Sequence, residues 1–122
     1  MTVFDAKNKQ MVDNVVEYCR TELDIPEHIY IFIEYKDLSD EGVKGWSIDS
    51  PENDEYDIEI DHNLNLDETI MTVCHEMVHI SQMHKGHELD ESEAVEKEKL
   101  LFDGYNQKWT QTIIKTNLCY TK

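Results

Sequence analysis

The sequence predicts a single α+β domain: an N-terminal helix, a small and mostly antiparallel three-stranded sheet, a helix that carries a His-Glu-x-x-His motif, and an acidic C-terminal helix or helices. Two patterns predict this class. Apolar residues recur at helical spacing near the N-terminus and again after residue 65, whereas the segment between these regions alternates apolar and polar residues. With 122 residues the chain can bury one ordinary core, so residues 1–122 are expected to form one domain.

The first predicted element is an amphipathic helix that ends before Pro26, because proline cannot continue a helix. We expect this helix to pack behind the sheet. Its apolar positions are Phe4, Met11, Val15, Cys19 and Leu23.

Three strands are predicted next, over residues 28–36, 43–49 and 56–61. The first is rich in β-branched and aromatic residues, and the other two are joined by residues 50–54, which have the composition of a hairpin turn. The apolar face of the first strand carries Ile29, Ile31, Ile33 and Tyr35. The outward positions of the third, Asp57, Glu59 and Asp61, are expected to form the water-exposed face of an antiparallel sheet, and the alternative is a calcium or substrate surface.

The next helix carries His75-Glu76-Met77-Val78-His79 within an apolar-periodic run. Asn65 and Glu68 have the spacing of a capping box, and Asp67 adds negative charge where the helix dipole favours it. On a helix, His75 and His79 project from one face about one turn apart. The buried stripe is predicted to be Leu66, Ile70, Val73, Met77 and Ile80.

An acidic helix is predicted to begin near Asp90, after a turn at residues 85–89. Val95, Phe102 and Trp109 repeat every seven residues with Leu101 alongside, which predicts a core-facing stripe that extends toward Ile113. Gly104 is a possible break in this helix, and residues 110–116 are β-branched enough to form a strand elsewhere.

Two imidazoles on one helix face indicate a zinc site, and a catalytic zinc usually takes a third protein ligand and leaves one position for water. In this interpretation His75 and His79 bind one zinc ion per chain, and Glu76 is the general base that takes a proton from zinc-activated water. The function predicted from these residues is hydrolysis of a peptide bond, and hydrolysis of a non-peptide amide would require the same residues. The alternative is a non-catalytic, zinc-stabilised binding module, although a structural site has no use for a base beside the metal.

Glu93 is the first candidate for the third ligand. If two antiparallel helices meet near residues 84 and 90, Glu93 lies at about the height of His79, roughly 7.5 Å from the helix end. Glu93 could instead complete a capping box with Asp90. His87 in the turn and Glu96 one helical turn further along are the other candidates.

The order of elements and the His75–His79 motif, with Glu91-Ser92-Glu93-Ala94 downstream, resembles a minimal zincin metallopeptidase of the gluzincin type. Such families place a ligand Glu before a small residue on the next helix, which matches Glu93-Ala94. The resemblance covers residues 28–102, and it implies that residues 46–48 form an edge strand along which an extended substrate pairs. Trp46 would then contact substrate, unless it is a core aromatic residue.

The run from His75 to Gln82 is also similar to small phage-type metallopeptidases, and Lys85-Gly86-His87 weakly resembles SprT-like proteases, whose third ligand is a histidine. The metzincin pattern is absent, because Gln82 and Lys85 occupy its required Gly and His positions. The second donor for a developing oxyanion is expected from one of Tyr105, His87 and His84.

Composition bounds the partners. The formal net charge is −16, which disfavours nucleic acid and anionic membrane surfaces as partners. The expected peptide or protein substrate follows from the predicted hydrolysis. Cys19, Cys74 and Cys119 show no Cys-x-x-Cys spacing, and Cys74 is expected to be a small buried residue that does not bind metal. With no apolar run able to span a bilayer and no leader-like segment, we expect a mature cytoplasmic protein.

Overall fold

The computed structural model describes residues 6–50 and 54–120, and the side chains of residues 9–50 and 54–108. The described part has three helices and three strands, so the α+β class is confirmed. No helix in this part is long and apolar enough to cross a membrane. The elements in chain order are α1 (Ala6–Glu22), β1 (Tyr30–Lys36), β2 (Gly45–Ser50), β3 (Glu55–Asp61), α2 (Leu66–His84) and α3 (Glu91–Tyr120).

The sheet is mixed, with β3 in the centre and the strand order β1-β3-β2. The β2–β3 hairpin is antiparallel, as predicted, but β1 pairs with β3 in parallel, so the prediction of a mostly antiparallel sheet is wrong for one of the two pairings. The reason lies in the chain path. The hairpin places its second strand between β2 and β1, and that strand runs in the same direction as β1.

The helices cover one face of the sheet and enclose the core between them. Ile58 and Ile60 of β3 are fully buried there, and Ile31, Ile33 and Tyr35 of β1 pack against the same core, which confirms the predicted inward face of β1. The core positions of α1 within its described side chains are Val12, Val15, Val16 and Cys19. Phe4, which was predicted to share this face, lies outside the described residues.

The acidic face of β3 was predicted to be exposed to solvent, but one of its residues is buried. Glu59 is only 8% exposed, because Trp46 and Lys36 cover it from the neighbouring strands. Trp46 Nε1–H donates to Glu59 Oε1 at 2.5 Å, and Lys36 Nζ lies 2.6 Å from Oε2. The hydrogen bonds from Lys36 and Trp46 hold the pKa of Glu59 below its usual value. Trp46 is therefore a half-buried partner of an acid, and not a core aromatic residue.

Helix α2 forms as predicted. The side chain of Asn65 accepts a hydrogen bond from the Glu68 amide, and the Glu68 side chain accepts one from the Asn65 amide, which completes the capping box. Ile70, Val73, Met77 and Ile80 are buried, and Leu66 is partly buried.

Cys74 on α2 is fully buried, with its Sγ atom 3.8 Å from Cys19 Sγ on α1. The contact with Cys74 and burial together raise the pKa of the Cys19 thiol. Cys74 therefore lies in the core between two helices and is a small buried residue, as predicted.

Helix α3 continues without a break through Gly104, whose missing side chain leaves room for the Tyr18 hydroxyl of α1. Its core-facing stripe differs from the predicted one. Val95 is 46% exposed, whereas Ala94, Leu101 and Tyr105 are buried. The true stripe is displaced by about one residue, which is 100° around a helix. The side chains of Trp109 and Ile113, which were predicted to extend it, lie outside the described ones.

Candidate metal centre

Helix α2 brings its two histidines together, as the motif spacing predicts. The ring centroids of His75 and His79 are 4.9 Å apart, and the rings are nearly perpendicular. Both rings are largely shielded, with 18% of the His75 side chain and 8% of the His79 side chain exposed. They lie where α2 faces both the N-terminal end of α3 and the edge strand β2.

The Nδ1 atom of each ring is held by a hydrogen-bond acceptor. His75 Nδ1–H donates to Glu98 Oε1 of α3 at 2.6 Å, and His79 Nδ1–H donates to Gln82 Oε1 at 2.9 Å. The Gln82 oxygen can be assigned because its amide nitrogen donates to two other oxygens. In the neutral form each ring therefore keeps its proton on Nδ1 and presents the lone pair of Nε2 to a metal.

The Nε2 atoms converge on one carboxylate oxygen. Glu91 Oε1, in the first turn of α3, lies 3.0 Å from His75 Nε2 and 2.5 Å from His79 Nε2. The three potential ligand atoms all lie within 4.8 Å of one another. The hydrogen bonds with His79 and His75 lower the pKa of Glu91. Burial lowers the pKa of His75, but its bonds to Glu98 and Glu91 outweigh burial, so the net shift is upward.

Glu93, the predicted third ligand, is not brought to the histidines. Its carboxylate accepts a hydrogen bond from Gln82 Nε2 at 2.6 Å and lies 3.1 Å from Lys97 Nζ. Its amide donates to Asp90 Oδ1 at 3.2 Å, so Asp90 is the N-cap. The Asp90 amide donates to Gln82 Oε1 instead of Glu93, so only half of a capping box forms.

The physical reason is the rotational phase of α3. Glu91, Ala94, Glu98, Leu101 and Tyr105 recur at steps of three, four, three and four. Ala94, Leu101 and Tyr105 are buried in the core, and the other two positions on this stripe contact His75. Glu93 lies two residues from Glu91, or about 200° around the helix, so its side chain leaves α3 in a different direction from those of Glu91 and Glu98, which contact His75. Glu93 was predicted from its height along the helix, without the rotation of α3.

The two other candidates for the third ligand, His87 and Glu96, lie away from the cluster of His75, His79 and Glu91. His87 is exposed in the turn after α2, where its amide donates to the Gln82 carbonyl oxygen at 2.9 Å. Glu96 is exposed on the outer surface of α3 beside Val95. Neither side chain joins a potential metal-ligand group of the described residues.

Gln82 holds the centre together, and sequence reasoning missed it. It is 3% exposed and uses both amide atoms twice: Oε1 accepts from His79 Nδ1 and the Asp90 amide, and Nε2 donates to the Asp90 carbonyl and Glu93. The sequence feature that could have revealed this role is the position of Gln82, a polar residue three positions after His79 on the same face of α2. Gln82 therefore fixes both one histidine and the start of α3.

Glu76 lies beside the cluster and is not part of it. Its side chain is 6% exposed, and its Oε1 accepts a hydrogen bond from Ser47 Oγ of β2 at 2.7 Å. Ser47 Oγ also lies 3.2 Å from the Glu76 carbonyl oxygen. An ionisable group with so little exposure must have a partner, and Ser47 supplies it. The carboxylate is thus oriented by the strand that faces the histidines.

Two cavities border these residues. One, of about 650 Å³, adjoins His75, and the other, of about 200 Å³, adjoins His79. Gly45 and Glu76 line both. An extended ligand along β2 would therefore have one cavity next to each histidine.

The three residues predicted as possible donors to an oxyanion, Tyr105, His87 and His84, differ in burial and in position. Tyr105 is buried against Tyr18, at 5.8 Å between ring centroids, and lines neither cavity. Its hydroxyl has no hydrogen-bond partner among the described side chains. His84 is partly buried at the end of α2, and His87 is exposed. Neither histidine joins a potential metal-ligand group of the described residues.

The donor set fits zinc. Two imidazole nitrogens and one carboxylate oxygen are ligands that zinc commonly takes at open, catalytic sites. Ligand atoms on one tetrahedral zinc ion are roughly 3.3 Å apart for bonds near 2.0–2.1 Å. The separations of 2.5 and 3.0 Å in the cluster would thus need to grow by less than about 1 Å.

A second group of potential ligands, Asp37, Asp61 and His62, also lies within 4.8 Å. Asp37 is exposed and accepts from Ser39, and Asp61 accepts from Asn63. This group offers a useful control for the first.

Comparisons of the chain with protein-family models, with curated proteins and with solved structures gave no match.

Proposed function

We propose that this protein is a zinc-dependent hydrolase of peptide bonds with a zincin-like fold, in which His75, His79 and Glu91 bind the metal and Glu76 is the general base. The observation that carries the proposal is the convergence of two Nε2 atoms on one carboxylate oxygen, with both Nδ1 atoms held by acceptors. Histidines that merely stabilise a helix surface have no need of this arrangement.

The residues behind the histidines support this role. A ligand histidine commonly donates its other N–H to a carboxylate or carbonyl oxygen, which fixes the ring and increases the basicity of the ligand nitrogen. Glu98 accepts this hydrogen bond from His75, and Gln82 accepts it from His79. Zinc bound here would act as a Lewis acid that acidifies water and polarises a substrate carbonyl.

Glu76 performs the proton transfers in this proposal. It lies next to His75 in sequence and lines both cavities. Ser47 holds Oε1, so the carboxylate keeps one orientation while it accepts a proton from the attacking water. The same carboxylic acid then donates that proton to the leaving amine. Ser47 is a positioning residue, because it acts through Glu76.

The geometry of β2 favours an extended peptide as the substrate. Within the described residues β2 pairs only with β3, so its other edge is open for backbone hydrogen bonds. Gly45, Trp46 and Ser47 of this strand line the cavity next to His79. A peptide that adds to this edge would place its backbone beside Glu76.

The alternative is a zinc-stabilised binding module without turnover. It is favoured by one observation: Glu91 and Glu98 connect the histidines of α2 to α3, so a metal there would also hold two helices together. Glu76 separates the two functions, because binding alone does not require it.

The test is cleavage of a mixed peptide library by zinc-loaded protein, read by mass spectrometry, with Glu76→Gln as the matched variant. We expect Glu76→Gln to retain zinc and its melting temperature and to lose about 10²- to 10⁴-fold in cleavage rate, since the amide cannot accept the proton. Equal cleavage by Glu76→Gln would refute the mechanism. Zinc binding without any cleavage by the parent protein would favour the binding module.

A further inference from the structure

The cavity next to His75 is large enough to receive part of a substrate. Its volume of about 650 Å³ is typical of ligand pockets and much larger than one metal ion requires. His75 and Glu76 form one side of it. A substrate group in this cavity would therefore lie next to the bond that Glu76 helps to break.

The apolar part of its lining comes from three different elements. Val43 lies just before β2, Met71 is on α2, and Phe102 is on α3. Val43 is 38% exposed, and the other two are partly buried. Methylene groups that cover such surface remove apolar area from water, which favours binding. This lining suits a side chain with a long aliphatic part.

The charged part of the lining is mostly acidic. Asp67, Glu68, Glu76 and Glu98 contribute carboxylates, and Lys44 and His75 are the basic side chains among the described lining residues. Lys44 Nζ lies 3.6 Å from Glu68 Oε2, so its charge is already compensated. Asp67 is exposed and has no side-chain partner in the described part of the chain. The cavity therefore keeps an excess of negative charge.

We propose that this cavity binds a basic side chain, lysine or arginine, of a peptide or protein substrate next to the scissile bond. This inference rests on the hydrolase function proposed above and names its substrate class. The aliphatic part of the side chain lies against Val43, Met71 and Phe102, and its cationic end lies near Asp67. An acidic side chain is rejected, because unpaired like charges in one cavity repel.

The charge of the entire protein acts in the same direction. A formal net charge of −16 raises the local concentration of cationic peptides and speeds their association. This effect decreases as salt screens the field, over a Debye length of about 10 Å at 0.1 M. The local preference of the cavity should persist at salt concentrations that remove the long-range attraction.

Binding can be measured without turnover on the zinc-loaded Glu76→Gln protein. Three fluorescent peptide series would carry arginine, norleucine or glutamate at one position that is moved along an otherwise constant sequence. We expect arginine to bind best at one position, norleucine more weakly, and glutamate least, by fluorescence anisotropy at low and high salt. The same peptides given to the active protein report cleavage.

Asp67 supplies the decisive variants, with Asp40, an exposed residue between β1 and β2, as the matched control. Asp67→Asn should reduce the arginine-to-norleucine affinity ratio about threefold, and Asp67→Lys about tenfold. Asp40→Asn and Asp40→Lys change the net charge equally and should leave the ratio unchanged. Asp67→Asn keeps the inference testable if lysine weakens the start of α2.

The outcomes separate this inference from the hydrolase proposal. Cleavage without a basic preference, or with a preference that Asp67→Lys does not alter, would overturn the inference while the hydrolase proposal stands. A basic preference in binding without cleavage would overturn the hydrolase proposal and support the cavity assignment. Equal binding of all three peptides without cleavage would overturn both.

Discussion

The acceptors at Nδ1 make the two histidines chemically unequal. His75 donates to the carboxylate of Glu98, whereas His79 donates to the neutral amide of Gln82. A charged acceptor withdraws the Nδ1 proton more strongly and leaves more electron density on Nε2. His75 should therefore be the stronger metal donor of the pair, and Glu98 should contribute to affinity without touching the metal.

We predict about one zinc ion per chain, measured by elemental analysis after extensive dialysis. His75→Ala and His79→Ala should each weaken zinc binding by more than about a hundredfold, because loss of a ligand costs more than loss of its hydrogen-bond partner. His62→Ala is the matched control, since His62 belongs to the second ligand group. Loss of the zinc only in His62→Ala would instead assign the metal to the group of Asp37, Asp61 and His62.

The third ligand can be tested by a pair of variants two residues apart. Glu91→Ala should weaken zinc binding by more than about a hundredfold, as for the histidines. Glu93→Ala should weaken it less, because Glu93 contacts Gln82 and Lys97 instead of the histidines. Competition with a fluorescent chelator measures both. Greater loss in Glu93→Ala would restore the ligand predicted from sequence, and loss in His87→Ala alone would favour the SprT-like pattern.

Among the elements, α2 could be predicted almost completely and α3 only in outline. The cap, the apolar stripe and the motif of α2 are local signals within one continuous segment. The phase of α3 depends on whether Ala94 or Val95 faces the core, and both residues are apolar. Only the contact with α2 decides between them, and it favours Ala94, because the small side chain lets the helices approach.

The sheet, too, could be predicted only in part from the sequence. The inward face of β1 and the β2–β3 hairpin follow from alternation and from turn residues. Strand direction does not, because parallel and antiparallel strands share a period of two. The bonds of Gln82 to Asp90 and Glu93 also join different elements, and such partners have no local signature.

Gly45 lets β2 approach α2, and its substitution should test that packing. A Cβ atom at this position would lie 2.7 Å from Thr72 Cγ2 and 2.8 Å from the Glu59 carbonyl oxygen. We expect Gly45→Ala to destabilise the fold by about 1–3 kcal/mol in chemical unfolding, the usual cost of overpacking. Adding Thr72→Ser removes the methyl contact and should restore part of the loss. Unchanged stability of Gly45→Ala would show that β2 can move.

Across the domain, the helices lie on one side of the sheet and the candidate centre lies where α2, α3 and β2 meet. The opposite face of the sheet carries Tyr30 and Phe32, which stack at 6.2 Å between ring centroids and are 61% and 47% exposed. The centre thus depends on the relative placement of three elements. Anything that holds α3 against α2 also assembles the proposed ligands.

Zinc should therefore stabilise the entire fold and not only its site. At a free concentration 100 times its Kd, zinc adds about 2.7 kcal/mol to the free energy of unfolding. For a domain of this size that corresponds to roughly a 10 °C increase in Tm. We expect a chelator to reverse this increase in the parent protein and to have no effect on His79→Ala. An identical Tm with zinc and with chelator would contradict the proposed site.

The spacing along the α2–α3 seam also defines a searchable signature. His-Glu-x-x-His-x-x-Gln is followed, after eight residues, by Glu-x-x-Ala-x-x-x-Glu, which contains His75, His79, Gln82, Glu91, Ala94 and Glu98. The polar positions of this signature are hydrogen-bonded in or beside the centre and Ala94 is buried in the core, so a chance His-Glu-x-x-His motif has little probability of matching all of them. A one-residue insertion between Glu91 and Glu98 would turn the second carboxylate by about 100° away from His75. Chains that keep these intervals should assemble the same centre, however much the rest of their sequence has diverged.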